Sequence, residues 1–257
     1  MGQQLGWYIT DTRAILNDRL GMFMPKTQLI RWINAGRKQV AKVTGCLEVL
    51  VPGTAPMGSI ANPGSAIPGG VVPGADPGSD ATTGFYTIPG VEKYPYGFAN
   101  GYVRQYNAGL NEVFDVKQVA ISWSTSMRPA LDWYSWDDFQ AYLRSYQNML
   151  TSYPAIWSTL GDGETGNVFL YPVPSIATEM EWLCKCSPLD LYSDDDYDAI
   201  PHPFSDAVKY YAAYLSYLGS QRWTQADGME AAFYQHLGID RPAVDSGKTP
   251  RYYITYP

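Results

Sequence analysis

The sequence predicts an α+β fold, a mostly α-helical core of about five helices interrupted by a β-rich insertion. Three observations predict it. Apolar residues recur at helical spacing near both ends of the chain. Runs of β-branched and aromatic residues with period-two alternation occupy much of the middle. A long stretch dominated by Pro and Gly separates the first helical block from those strands.

Taken in order, Leu5, Tyr8, Ile9, Thr12, Ile15 and Leu16 predict a helix over 3–18, with Gly21 after Asn17-Asp18 as its stop. Pro25 suits a first helical position, and Leu29, Ile33, Gly36, Val40 and Val43 predict a second helix over 25–44, closed by Gly45. Residues Pro52 to Gly97 hold 8 Pro and 10 Gly among 46 residues, too many breakers for a long regular element, and read as a loop. Val113 to Trp123 then reads as a strand pair or a strand bulged near Lys117-Gln118. Ser135 is a helix N-cap followed by acidic Asp137 and Asp138, and Phe139, Tyr142, Leu143, Tyr146, Met149 and Leu150 predict a third helix over 135–150.

Ala155 to Leu160 and Asn167 to Val173 flank a Gly-rich turn, Gly161 to Gly166, which predicts a hairpin. Glu179 to Cys186 alternates as a half-buried strand with Met180, Trp182, Cys184 and Cys186 inward. Pro201 opens a fourth helix, within 200–219, expected to bury Phe204, Val208, Tyr211, Leu215 and Leu218. A fifth helix runs from Arg222 to Leu237, with Gly238 as its stop. Ile239 to Pro257 has no helical period and reads as an extended arm. The expected organisation is therefore a helical core in parts 1–45, 135–152 and 200–238, a β-rich insertion in parts 46–134 and 153–199, and the arm 239–257. The five helices are expected to pack together.

Composition limits function. Eighteen basic against 25 acidic side chains give a net charge of −7, which argues against a surface built to hold nucleic acid by phosphate neutralisation. Met1 to Thr10 lacks the basic and apolar regions of a secretory signal, and Met1-Gly2 with Gly6 misses the myristoylation pattern. The uncharged run Val49 to Ala75 is too rich in Pro and Gly for a membrane helix, so no membrane partner is expected. Three cysteines form no disulfide framework, and Cys184 and Cys186 lie on one strand face, pointing the same way, so buried thiols are the simplest reading.

Chemistry-bearing motifs are scarce. Phosphate loops, nucleophile elbows, zinc-binding helices and dinucleotide fingerprints do not occur, and neither a cofactor nor a catalytic residue is expected. Asp194, Asp196 and Asp198 resemble the opening of a calcium loop, but Ala199 stands where Gly is needed and Ser205 where Glu is needed. A solvated acidic turn is the better reading; a metal-dependent hydrolase would need metal bound there. His202 and His236 suit helix-end and packing roles. The terminal run Tyr252-Tyr253-Ile254-Thr255-Tyr256 has no core of its own, which points to docking on a partner.

Several segments, in order, resemble the head-to-tail connector (adaptor) proteins of tailed bacteriophages. They are Leu16-Asn17-Asp18, Leu29-Ile30-Arg31-Trp32-Ile33-Asn34-Ala35-Gly36, Arg128-Pro129-Ala130-Leu131, Phe169-Leu170-Tyr171-Pro172-Val173-Pro174, and Ile200-Pro201-His202-Pro203-Phe204-Ser205-Asp206-Ala207-Val208. The resemblance spans residues 5 to 237 and excludes the Pro/Gly segment and the arm. It implies a structural virion protein in the neck, made in the host cytoplasm. Such proteins form a homo-oligomeric ring, usually of twelve copies, between the portal protein and tail or neck proteins, and DNA passes through without specific binding. The arm is then the portal-facing segment, with Arg241, Arg251, Tyr252, Tyr253 and Tyr256 as candidate contacts. The Pro52 to Gly97 loop is expected against a neighbouring subunit or another virion protein. A non-enzymatic binding module, holding carbohydrate on exposed aromatic rings, is the alternative.

Overall fold

The computed structural model describes residues 3–18, 20–51, 85–99, 110–122, 127–145 and 153–239. Helix α1 (Leu5–Ile15) buries Leu5, Tyr8, Ile9 and Thr12. It is stopped by Asn17, not Gly21: Asn17 takes a left-handed φ of 56°, and the Asp18 N–H returns to the Arg13 carbonyl at 2.9 Å. Helix α2 (Lys26–Thr44) follows Pro25, which is its N-cap, and ends at Gly45 with φ 62°. Its buried stripe contains the expected Leu29, Ile33, Gly36 and Val40, and adds Asn34 and Arg37.

The β segments form two sheets. Strands β1 (Glu48–Val51), β7 (Met180–Pro188) and β3 (Leu110–Ile121) form an antiparallel sheet in the order β1-β7-β3. Strand β7 buries Met180, Trp182, Cys184 and Cys186 in the predicted alternation. Strand β3 is one bulged strand, its register slipping between Val116 and Gln118, where polar Lys117 and Gln118 interrupt the apolar alternation. The second sheet has the order β2-β6-β5-β4, from β2 (Lys93–Pro95), β4 (Asp132–Trp133), β5 (Ile156–Leu160) and β6 (Asn167–Tyr171). Strands β5 and β6 are the predicted hairpin, with Gly161 and Gly163 supplying positive φ in its turn.

The expected loop 52–97 is corrected at its end. Residues 85–97 belong to the fold: Phe85, Tyr94 and Tyr96 are buried, and β2 is an edge strand, a place that tolerates Pro95. Phe85, Tyr94 and Phe98 gather around Trp182, with Phe85 edge-on to the indole at 5.0 Å. Their aromatic burial outweighs the breakers. Tyr86 pairs with Glu179, while Val51 pairs with Trp182, and β3 occupies the other side of β7 with Ile121 opposite Met180. Residues 85–86 thus resume the track of β1 along β7, and residues 52–84 lie outside the described part.

Helix α3 (Trp136–Ser145) is capped as predicted, the Asp138 N–H bonding to the Ser135 hydroxyl. Its place differs from expectation. Phe139 packs with Ile156 and Tyr171 of the second sheet, and Trp136 lies 4.7 Å from Phe169, so this helix covers β5 and β6 instead of joining the other helices. Large aromatic side chains fill that contact on both sides. Positions 146–150 of the predicted helix lie outside the described residues.

A 3-10 turn (Phe204–Ala207) leads into α4 (Val208–Gly219), which precedes α5 (Trp223–Leu237). The buried face of α4 is Val208, Ala212, Ala213, Ser216 and Tyr217. Leu215, Tyr211 and Leu218 are only half-buried, so the predicted face is rotated. A Cβ on Gly36 would stand 3.1 Å from the Val208 carbonyl and 3.5 Å from the Tyr211 Cβ, so α2 and α4 approach almost backbone to backbone there. Helices α1, α2, α4 and α5 and both sheets share one continuous apolar core.

These placements separate two substitutions of equal chemistry. Leu29→Ala, at a site with no exposure, is expected to lose about 2–5 kcal/mol of unfolding free energy, and half-buried Leu215→Ala less than about 2 kcal/mol. Urea titration of the two variants measures the difference.

Candidate functional site

Three aspartates that resemble a calcium loop are drawn to three different partners. Asp194 forms an ion pair with Lys26 at 2.6 Å. Asp196 accepts the N–H groups of Tyr192 and Ser193, both at 2.8 Å, and these hold its carboxyl below the usual range. Asp198 turns inward to Arg37, whose guanidinium it meets at 2.6 Å with both side chains buried. Among the described residues no group of three or more His, Cys, Asp or Glu is arranged to hold a metal ion.

The Arg37–Asp198 pair is the centre of a buried polar network. Asp198 also accepts the Tyr8 hydroxyl at 2.5 Å and the Ile200 N–H at 3.0 Å. Arg37 donates further to the Asn34 side-chain oxygen and to the Leu189 carbonyl. Asn34 completes the set by exchanging two bonds with the Leu191 backbone. Every charged atom is supplied with partners, which is the condition under which a buried pair is tolerated. Burial first, and the neighbouring carboxylate second, push the Tyr8 hydroxyl well above its ordinary pKa, so it stays a donor. The segment 189–200 is thereby strapped across α1 and α2, and the Leu5 and Gly6 N–H groups at the start of α1 bond to the Asp196 and Asp194 carbonyls.

A second fixed feature is the turn between α1 and α2. Asp18 accepts the N–H groups of Phe23 and Met24 at 3.0 and 2.9 Å, and these bonds hold its carboxyl below the usual range. The turn presents Leu20 and Met22 to solvent at 87% and 88% exposure. Phe23 lies under the Arg222 guanidinium at 5.0 Å, which brings the α4–α5 turn and the exposed Trp223 alongside. A turn so locked and so apolar is unusual for a surface that meets only water.

The five arm residues singled out from the sequence, Arg241, Arg251, Tyr252, Tyr253 and Tyr256, lie outside the described residues. His202 is exposed, 3.5 Å from Asp206, and His236 stacks on Tyr210 at 4.4 Å, both in helix-end surroundings. Asp137 and Asp138 stand in the first turn of α3. Arg128 is held by Glu179 and Glu181. All three cysteines are unbridged; burial pushes the Cys186 thiol up to about 12 and raises the Cys184 thiol well above the usual thiol range, which leaves both unreactive. Exposed rings occur at Trp133, at Trp223, and at Trp7, Tyr192 and Tyr197, where the 189–197 segment is bonded to the start of α1. An open cleft of about 470 Å3 lies between Lys38, Lys42, Phe114, Asp115, Asp162 and Lys185. Lys38 is paired with Asp190 and Lys185 with Asp115, so its charges are largely neutralised from within.

Sequence reasoning missed Arg37 as a core residue and the 20–23 turn as a surface feature. The turn carried a usable signal, since Leu20, Met22 and Phe23 occupy positions where turn chemistry favours polar types. Arg37 carried none, because its partner lies 161 positions away.

Removing one member of the buried pair strands the other. Arg37→Met is expected to lose about 3–5 kcal/mol of stability, and Arg37→Met with Asp198→Asn to lose less than the two single changes added together, as read by urea titration. The 18–24 turn has its own pH signature. The Asp18 pKa is lowered in the fold, so its contribution is complete above the unfolded value of about 4 and is lost as pH falls through the lower folded value. Amide exchange at Phe23 and Met24 is expected to accelerate below about pH 4, beyond its intrinsic pH trend, and Asp18→Asn to remove that acceleration.

No family model and no curated protein matches the chain.

Proposed function

We propose that the chain is a structural head-to-tail connector of a tailed-bacteriophage virion, forming a ring between the portal and the tail and lining the path of the DNA. One observation carries the reading. Three of the segments that resemble the connector family, Leu16–Asp18, Leu29–Gly36 and Ile200–Val208, are far apart in sequence and meet in one helical assembly. Asp18 fastens the α1–α2 turn, Asn34 holds the 189–191 strap, Gly36 admits the Val208 carbonyl, and Ile200 bonds to the buried Asp198. Residues that serve contacts between elements make such a coincidence of order meaningful.

Two further features agree. The net charge of −7 suits a conduit wall that repels passing phosphate. Exposed Leu20, Met22 and Trp223 on fastened turns suit a chain that works in an assembly. Within this reading the arm 239–257 engages the portal, using Arg241, Arg251, Tyr252, Tyr253 and Tyr256, and the Pro/Gly segment lies against a neighbouring protein.

Mass measurement of the purified chain, alone and mixed with the portal protein of the same virion, tests the proposal. A ring-sized complex with the portal is expected, and truncation after Gly238 is expected to abolish attachment while the helical circular-dichroism signal persists. Absence of any complex with the portal overturns the reading.

A further inference from the structure

Two exposed apolar surfaces stand at the two ends of α1, an 11-residue helix that spans about 16 Å. Beyond its C-terminus lies the turn with Leu20 and Met22, next to Trp223 at 63% exposure. Two guanidiniums flank this surface. Arg222 lies over Phe23, and Arg13 approaches Gly21 so closely that a Cβ there would stand 2.8 Å from its Nη2. Among the described residues neither arginine has a carboxylate within ion-pair distance. The Asp18 carboxylate of the same turn is directed to the Phe23 and Met24 N–H groups, with Arg13 near enough to help hold it ionised, and Asp227 follows Trp223 by one helical turn.

At the N-terminal end the 189–197 segment is bonded to the first turn of α1. It exposes Tyr192 at 78% and Tyr197, with Leu189 half-exposed, and Trp7 of that turn is 66% exposed. This surface is acidic. Asp190, Asp194, Asp195 and Asp196 face only Lys26 and Lys38 as ion-pair partners, and Asp195 is exposed and unpaired among the described residues. Asp196 is kept ionised by the N–H groups of Tyr192 and Ser193.

One surface is thus apolar with a basic rim, the other aromatic with an acidic rim. We infer that the Leu20/Met22/Trp223 surface of one copy docks on the Trp7/Tyr192/Tyr197 surface of a second copy. Opposite rim charges set the pairing, because like surfaces would bring arginine to arginine or aspartate to aspartate. The two surfaces differ, so the contact is heterologous: each copy offers one and uses the other, and repetition closes a ring or extends a filament according to the rotation between copies. The locked turns help, since a surface already ordered by Asp18 and Asp196 loses little freedom on docking. This inference rests on the ring reading above and names the contact that would build the ring.

The test uses the full chain and native mass spectrometry over a concentration series. Leu20→Asp with Met22→Asp removes the first surface, and Tyr192→Ser with Tyr197→Ser the second; all four side chains are solvent-facing, and a thermal melt verifies folding of each variant. Wild-type chain is expected to form oligomers that weaken with added salt, and each variant alone to associate at least about 100-fold more weakly. Mixed together, the two variants are expected to form a dimer that grows no further, because each retains one intact surface and only one pairing is possible. Oligomers of a folded variant like those of wild type overturn the inference, as does a wild-type chain that stays monomeric up to about 100 μM. Portal attachment is read separately. Wild-type chain that binds portal but not itself sinks this contact alone, and chain that self-associates but ignores portal sinks the connector reading alone.

Discussion

The buried ion pair between Arg37 and Asp198 is the constraint around which the helical part is arranged. An arginine in the buried stripe of α2 is unfavourable until a carboxylate reaches it, and the carboxylate arrives on a segment with no regular structure of its own. Once the pair forms, Asn34 and Tyr8 become its satellites, and the strap 189–200 acquires a single path over α1 and α2. The start of α1 then finds acceptors for its first N–H groups in that strap, in place of a side-chain cap. Apolar packing alone would allow the strap to slide; the fixed geometry of a guanidinium does not.

Gly36 plays the complementary part beside Arg37 in the buried stripe of α2. It lets α2 and α4 meet closely at Val208 and Tyr211. A polar lock at Arg37 and a close approach at Gly36 give the same helix face two kinds of specificity. Strand β7 links this assembly to the strands: its buried thiols and Trp182 belong to the same core as Leu29 and Ile33.

Much of the secondary structure was legible because it rests on local rules. Ser135 declared its cap, Gly45 and Gly238 their helix ends, and Met180, Trp182, Cys184 and Cys186 their common face. Tertiary choices were less legible. Leu215 looked like a core residue because size dominates a periodicity reading, whereas the buried face of α4 is made by Val208, Ala212, Ala213, Ser216 and Tyr217. Helix α3 has an ordinary amphipathic pattern that says nothing about whether helices or a sheet will cover it. At the surface, the exposed Leu20 and Met22 could be suspected from their turn, but the acidic partner surface emerges only when the strap is folded onto α1.

The interruption of the β1 track has an evolutionary consequence. In an unbroken strand with Val51 opposite Trp182, the residue opposite Glu179 would come three positions later, yet Tyr86 occupies it. The ends of the excursion are therefore held roughly 10 Å apart by β7, whatever lies between them. Closing a longer excursion between fixed ends costs only about 0.6 kcal/mol for each doubling of its length. Segment 52–84 is accordingly a place where descendants of this chain can gain or lose tens of residues, or acquire a whole inserted module, with the strand pairing on either side left in register.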